Sequence, residues 1–266
     1  MSELLVVEDL TVTFPTTRGP VDVVKGVSFT VGGDETVGIV GESGSGKSMT
    51  SLAVMGLLPK GARTSGSIRL AGEELLGRPD RDLRRLRGER MSMIFQDPLS
   101  SLNPYYTVGL QIEEMYRAHR GGSRKAARKI AIEALEQVGL PDAERRVDHY
   151  PHQFSGGQRQ RIMIAMALVC SPALLIADEP TTALDVTVQA QILKLLAGLR
   201  QESGMGMVFI THDLAVISSI ATRVLVMRQG EPVEYGTAEQ VFAEPAHDYT
   251  RMLLESIPRI DDEVIA

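Results

Sequence analysis

"TVGIVGESGSGKSMTSLAVMGLL", residues 36–58, decides how this chain folds. It starts as an apolar β-branched run, breaks into glycine and serine, and continues as a helix-forming pattern. Its centre, Gly41 to Ser48, fits G-x-x-x-x-G-K-[ST] in the strand–loop–helix setting that the chemistry needs. Gly41, Gly44 and Gly46 let backbone N–H groups curl around a β-phosphate. Lys47 can reach β- and γ-oxygens, and Ser48 can offer its hydroxyl to Mg²⁺. A chance match in a chain this long is about a one per cent event at average composition.

Outward from this loop, residues 4–14 (LLVVEDLTVTF) and 23–31 (VVKGVSFTV) read as paired strands. Short apolar strands recur at 90–97, 172–180, 206–213 and 223–236. The pattern of 186–202 predicts a helix with its stripe on Val188, Ile192, Leu195, Leu196 and Leu199. Such alternation implies a mainly parallel sheet covered on both faces. From about 98 to 153 the character becomes helical. Ala127, Ile130, Ala131, Ala134, Leu135 and Val138 share one face there. The basic run RDLRRLRGER (81–90), interleaved with acids, reads as a solvated helix face.

The bulk numbers exclude several classes. Hydrophobic residues at 43% and charged residues at 23% suit a globular core. A net charge of −6 argues against a general nucleic-acid binder. The single cysteine, Cys170, cannot form an internal disulfide and reads as a small buried hydrophobe in a reducing compartment. The first ten residues lack a basic flank and a cleavage pattern, so no signal peptide is expected. The apolar run IMIAMALVC falls short of the about 20 residues that span a bilayer.

Three further stretches carry chemistry. LLIADEP (174–180) ends an apolar strand in two carboxylates. Asp178 is suited to the Mg²⁺ shell through water, and Glu179 to orienting or deprotonating an attacking water. Gln96 and His212 each follow an apolar strand. Each is either a capping or core group, or a contact to metal, water or γ-phosphate. Finally, YPHQFSGGQRQR (150–161) starts a helix at Ser155, and a helix N-terminus favours an anion.

Taken in order, these residues resemble the ATP-binding subunits of ABC transporters over nearly the whole chain. The shared motifs are the phosphate loop 41–48, Gln96, Ser155-Gly156-Gly157-Gln158, LLIADEP, the ALD of 183–185 and His212. The resemblance implies an α/β P-loop NTPase (RecA-like) core with a mainly parallel sheet, an N-terminal antiparallel β region and a helical subdomain. It places the nucleotide-binding core at 1–96 and 154–236, the helical subdomain at 97–153 and a family-specific extension at 237–266. It implies ATP and Mg²⁺ as cofactors. Nucleotide contacts would come from Phe14, Gly41, Ser43, Gly44, Ser45, Gly46, Lys47, Ser48 and Met49, and metal contacts from Ser48, Gln96 and Asp178. Glu179, His212 and Gln96 would serve hydrolysis. Phe14 would stack on adenine, unless it is an ordinary strand aromatic.

The same resemblance explains why one chain has two phosphate-facing glycine clusters. Paired head to tail, each subunit offers residues 155–158 to the ATP on its partner's phosphate loop, and Asp185 connects the two sites. FQDPLSSLNPYYTVGLQI, DEPTTALDVTVQAQIL and FAEPAHDYTRMLLESIP look like the dipeptide, oligopeptide and nickel importer branch. That branch implies a second, different ATPase subunit rather than a homodimer, two membrane permease subunits and an extracytoplasmic solute-binding protein. Attachment would be peripheral, at the cytoplasmic face of the plasma (inner) membrane, with no nucleic acid involved. The chain departs from the branch at Asp248, where proline is usual, at Phe154, where leucine is commoner, and in lacking a cysteine-bearing tail. The last implies no iron–sulfur cluster and keeps nickel or a metal chelate open as the cargo. A soluble ABC ATPase acting on ribosome or DNA is the remaining alternative.

Overall fold

A computed structural model describes residues 3–97, 101–182 and 184–256. In chain order the first elements are β1 (Glu3–Thr16), β2 (Gly19–Gly32), β3 (Thr36–Val40), α1 (Lys47–Met55), β4 (Arg63–Leu70) and β5 (Glu73–Glu74). Next come α2 (Asp80–Leu86), β6 (Met91–Ile94), α3 (Val108–Arg120), α4 (Arg124–Gln137), α5 (Ala143–Arg146), α6 (Gly156–Leu168) and β7 (Leu174–Asp178). The rest are α7 (Val186–Ser203), β8 (Gly206–Ile210), α8 (Leu214–Ile220), β9 (Arg223–Arg228), β10 (Glu231–Thr237), α9 (Ala238–Ala243) and α10 (Asp248–Glu255). The chain divides into two compact units, one of residues up to 76 with those from 208 onward, the other of residues 77–207.

The first unit holds the antiparallel sheet β2-β1-β4-β5. Its β1–β2 hairpin buries Leu5, Val7, Leu10, Val12, Val24, Val27 and Val31. The register slips at several points between Glu3 and Thr13, which is why alternation is only partial in the sequence. The same unit holds β3, which pairs in parallel with β9, and β9 pairs antiparallel with β10. Every residue of β3 is buried, as expected of a parallel strand covered on both faces. The expected antiparallel and parallel regions are both present.

Glu35, just before β3, ties the unit's strands at one end. Arg223 reaches it from β9 through Nε at 2.5 Å and Nη2 at 2.9 Å, and the Gly32 amide donates at 2.6 Å. Burial works to raise the Glu35 pKa, but the Arg223 and Gly32 hydrogen bonds outweigh it and hold it below the usual 4.5. A carboxyl depressed on folding stabilises fully above its unfolded pKa, and that contribution fades as pH falls through the folded value. Glu35→Gln is therefore expected to lower the melting temperature at pH 7, by an amount that shrinks as the pH is taken down below 4.5. Thermal melts of both proteins across that range check it, and equal melting at pH 7 would remove Glu35 from the account.

In the second unit, β6 and β7 pair in parallel from Met91↔Leu174 to Ile94↔Ala177. Helices fill the described part of 101–153, and Thr107 and Ser123 side chains cap α3 and α4. The α4 stripe buries Ala127, Ala131, Ala134 and Leu135, and α7 buries Ile192, Leu196 and Leu199. The basic run forms the solvated helix expected only as far as Leu86, and residues 87–90 turn toward β6. Asp80 takes Arg84 at 2.7 Å and Arg87 at 2.9 Å, while only Leu83 and Leu86 turn inward. Cys170 is buried, which pushes its thiol pKa up, and Arg120 donates to its carbonyl at 2.9 Å. Among the described residues no helix is long and apolar enough to cross a membrane.

Candidate functional site

The phosphate loop leaves β3 at Gly41 and enters α1 at Lys47. Its path demands glycine at two points. Gly41 has φ 148, and a Cβ there would lie 2.1 Å from the Met227 carbonyl oxygen. Gly46 has φ 98, and a Cβ would lie 2.6 Å from the Val23 carbonyl oxygen. The loop is thus pressed against β2 and β9, while Gly44 has nothing within 4 Å of its Cβ direction. Ser43 and Gly44 are exposed; Ser48 and Met49 are half-buried.

Two features show a cradle shaped for an anion. The Lys47 ammonium is only 5% exposed and donates to the carbonyls of Gly41 at 2.7 Å and Glu42 at 2.8 Å. The Ser45 hydroxyl is buried and finds no hydrogen-bond partner among the described residues. A buried cation and an orphan hydroxyl at the start of a helix fit a phosphate group. Phe14 sits on β1 opposite Val21, two residues along β2 from the Val23 that touches Gly46. His212 follows β8 in the same unit. The Thr211 amide before it donates to the Ile39 carbonyl at 3.3 Å, one residue from the end of β3. The histidine is exposed.

The second unit brings Gln96 and Glu179 together. Gln96 Nε2 donates to Glu179 Oε2 at 3.1 Å, and Thr182 Oγ1 donates to the same oxygen at 2.8 Å. Asp178 closes β7 and is buried; Glu179 is half-buried just beyond it. Glu179 has φ 46, a left-handed conformation that costs a non-glycine residue of order 1–2 kcal/mol. Strain of that kind persists where it aims a side chain for function. Thr182 was missed in the sequence, although DEPTT places it one short turn after the glutamate.

Residues 155–158 open α6 as a capping box. Ser155 Oγ accepts from the Gln158 amide and Gln158 Oε1 accepts from the Ser155 amide. Gln158 Oε1 also accepts from Arg146 Nη2 at 3.0 Å, and that guanidinium lies 4.6 Å from the centroid of the buried Phe154 ring. Phenylalanine at 154 therefore adds a cation–π hold that leucine could not supply. The two glycines differ in role. A Cβ on Gly157 would meet Val188 Cγ1 at 2.6 Å, so this glycine packs α6 against α7. Gly156 faces open space apart from Leu184 at 3.9 Å. Asp185 caps α7, accepting from the Val188 amide at 2.9 Å. Ala183, of the ALD motif, lies outside the described residues.

Two family descriptions match, ABC transporter over residues 24–182 and the oligopeptide/dipeptide transporter C-terminal region over 233–265. The oligopeptide transport ATP-binding protein OppD of Salmonella typhimurium is 53% identical over 260 residues, 98% of this chain and 78% of that protein. A putative peptide import ATP-binding protein of Brucella abortus is 51% identical over 262 residues, 98% of this chain and 79% of that one. Among solved structures, the dimeric post-hydrolysis cassette MJ0796 bound to ADP and Pi superposes with a TM-score of 0.77. It is 30% identical and covers 88% of this chain and 98% of its own. Matched in family over more than half its length and in relatives over nearly all of it, the chain belongs to the ABC transporter family, as one of its ATP-hydrolysing subunits.

Proposed function

We propose that the chain is the ATPase subunit that drives uptake of oligopeptides through membrane permease partners. The observation that carries the catalytic part is the Glu179 carboxylate, strained at φ 46 and held by Gln96 and Thr182 beside Asp178. Glu179 takes the proton of the attacking water, and His212 hydrogen-bonds the γ-phosphate. Lys47 and the amides of 43–48 bind the β- and γ-oxygens, and Phe14 stacks on the adenine. Among the described residues no group of three or more His, Cys, Asp and Glu is placed to hold a metal ion. Mg²⁺ would rest on Ser48, Gln96 and Asp178 and supply charge neutralisation to the phosphates. The peptide cargo rests on the match over 233–265 and on the names of the relatives.

Residues 155–158 act on the ATP of a facing cassette, with Asp185 linking the two sites. The open side of Gly156 supports that reading, because among the described residues a Cβ there would meet nothing nearer than Leu184 Cδ2 at 3.9 Å. The facing cassette is a different ATPase subunit, and two permease subunits and a solute-binding protein complete the importer at the inner face of the membrane. In this reading 1–96 with 154–236 form the nucleotide core, 97–153 the helical subdomain and 237–266 the extension. The test is reconstitution of the purified subunits in liposomes with labelled oligopeptide, nickel or a metal chelate. ATP-dependent peptide accumulation is expected, and uptake of the metal species alone would overturn the cargo.

A further inference from the structure

The C-terminal extension meets the phosphate loop. Tyr249, on the first turn of α10, is 2% exposed, and its hydroxyl oxygen accepts a hydrogen bond from the Glu42 backbone amide at 3.3 Å. Glu42 is the second residue of the phosphate loop. Its carbonyl is also one of the two that hold the Lys47 ammonium, at 2.8 Å. The peptide group between Gly41 and Glu42 is therefore held at both ends: its N–H donates to Tyr249, and its carbonyl, that of Gly41, accepts from Lys47 at 2.7 Å.

Everything around Tyr249 acts to fix it. Glu234 on β10 accepts from the amides of Ala246 at 2.8 Å and His247 at 3.1 Å, which clamps the chain just before the helix. His247 Nδ1 accepts from the Tyr249 amide at 3.0 Å and so caps α10. Arg251 returns to the Pro245 carbonyl at 2.8 Å and pairs with Asp248. Asp248 is the first residue of the helix, a position that suits an acid as well as a proline, so its departure from the family pattern leaves the element intact. The Arg228 guanidinium lies 4.8 Å from the centroid of the Tyr249 ring, and Arg228 follows Met227, whose carbonyl abuts Gly41. Burial pushes the Tyr249 hydroxyl above its ordinary range, so near pH 7 its oxygen is a neutral acceptor.

We infer that Tyr249 is a positioning residue of the nucleotide site, through which the C-terminal extension sets the phosphate loop for ATP. This rests on the reading of residues 41–48 as the ATP cradle. When Lys47 turns its ammonium to phosphate oxygens it gives up hydrogen bonds to Gly41 and Glu42. The Glu42 carbonyl keeps the Ser45 amide at 3.2 Å, while the Gly41–Glu42 peptide, released at its carbonyl, relies on the Tyr249 bond at its N–H to keep its plane. Without the hydroxyl the peptide can rotate and leave a part-buried amide without its acceptor, which disfavours the loop conformation that binds ATP.

The test uses the full chain. Tyr249→Phe keeps the ring, its burial and the Arg228 contact, and removes the hydroxyl that accepts from the Glu42 amide and also interacts with the Glu42 carboxylate. It is expected to raise the dissociation constant of a fluorescent ATP analogue, and KM for ATP in the assembled complex, by about five- to tenfold. Melting temperature and kcat should change little. Glu234→Ala, which frees the Ala246 and His247 amides, should weaken ATP binding in the same direction by a different route. If both variants bind ATP within twofold of the parent protein, Tyr249 is packing alone and the inference is overturned. If the parent chain itself binds no ATP and Lys47→Ala changes nothing, the reading of the cradle fails, and the inference falls with it.

Discussion

Glu179→Gln is expected to leave ATP bound and to cut turnover by roughly a hundred- to ten-thousandfold, the usual contribution of general-base catalysis. The substitution is nearly isosteric. In the parent chain one carboxylate oxygen accepts from both Gln96 Nε2 and Thr182 Oγ1, and a glutamine carbonyl oxygen can accept the same two bonds. The backbone at φ 46 is shared by both residues, so neither strain nor fold should change. What disappears is the basic lone pair that the proposed role requires to take a proton from water. Nucleotide affinity should be kept, and ATP-loaded subunits should accumulate as closed pairs, because the γ-phosphate that bridges them is no longer removed. Phosphate release and equilibrium ATP binding, measured side by side, decide the point. A variant that hydrolyses ATP at near the parent rate would take the base role away from Glu179.

The phosphate loop was legible in the sequence because its determinants are local. Glycines, a lysine and a serine in eight consecutive residues dictate the path, and the neighbouring Met227 and Val23 carbonyls only confirm why no side chain fits. The capping box of 155–158 was legible for the same reason. Where pairing partners lie far apart in the chain, the reading thinned. The strand expected from 23 begins at Gly19, because the tight turn at Thr16–Gly19 sets up pairing that Gly and Pro propensities argue against. Arg146 behind Gln158 left no signal, since their meeting depends on how the helices pack. The left-handed backbone at Glu179 was hidden altogether, because nothing in its residue type asks for positive φ. The Tyr249 contact joins positions 207 residues apart, beyond any spacing argument.

Lys47→Ala is expected to weaken ATP binding by about a hundredfold, a loss made of one or two charge-assisted hydrogen bonds at about 1.5–3 kcal/mol each. The residue is 5% exposed, and the Gly41 and Glu42 carbonyls replace part of the water that its ammonium has lost. That arrangement holds the cation in the cradle, ready to exchange carbonyl for phosphate oxygens without being drawn out of bulk water. Removing it takes away the positive charge and the Gly41 carbonyl's bond to the ammonium, while the Glu42 carbonyl keeps the Ser45 amide, so some loss of stability should accompany the loss of affinity. Lys47→Arg separates the two effects. It restores charge, but its planar fork cannot take the place of a compact ammonium between two carbonyls 2.7 and 2.8 Å away. Both variants should bind ATP poorly, with Lys47→Arg the better folded of the two. Titration with a fluorescent ATP analogue and a thermal melt on each variant check this. Parent-like affinity in Lys47→Ala would mean that the loop amides alone hold the phosphates.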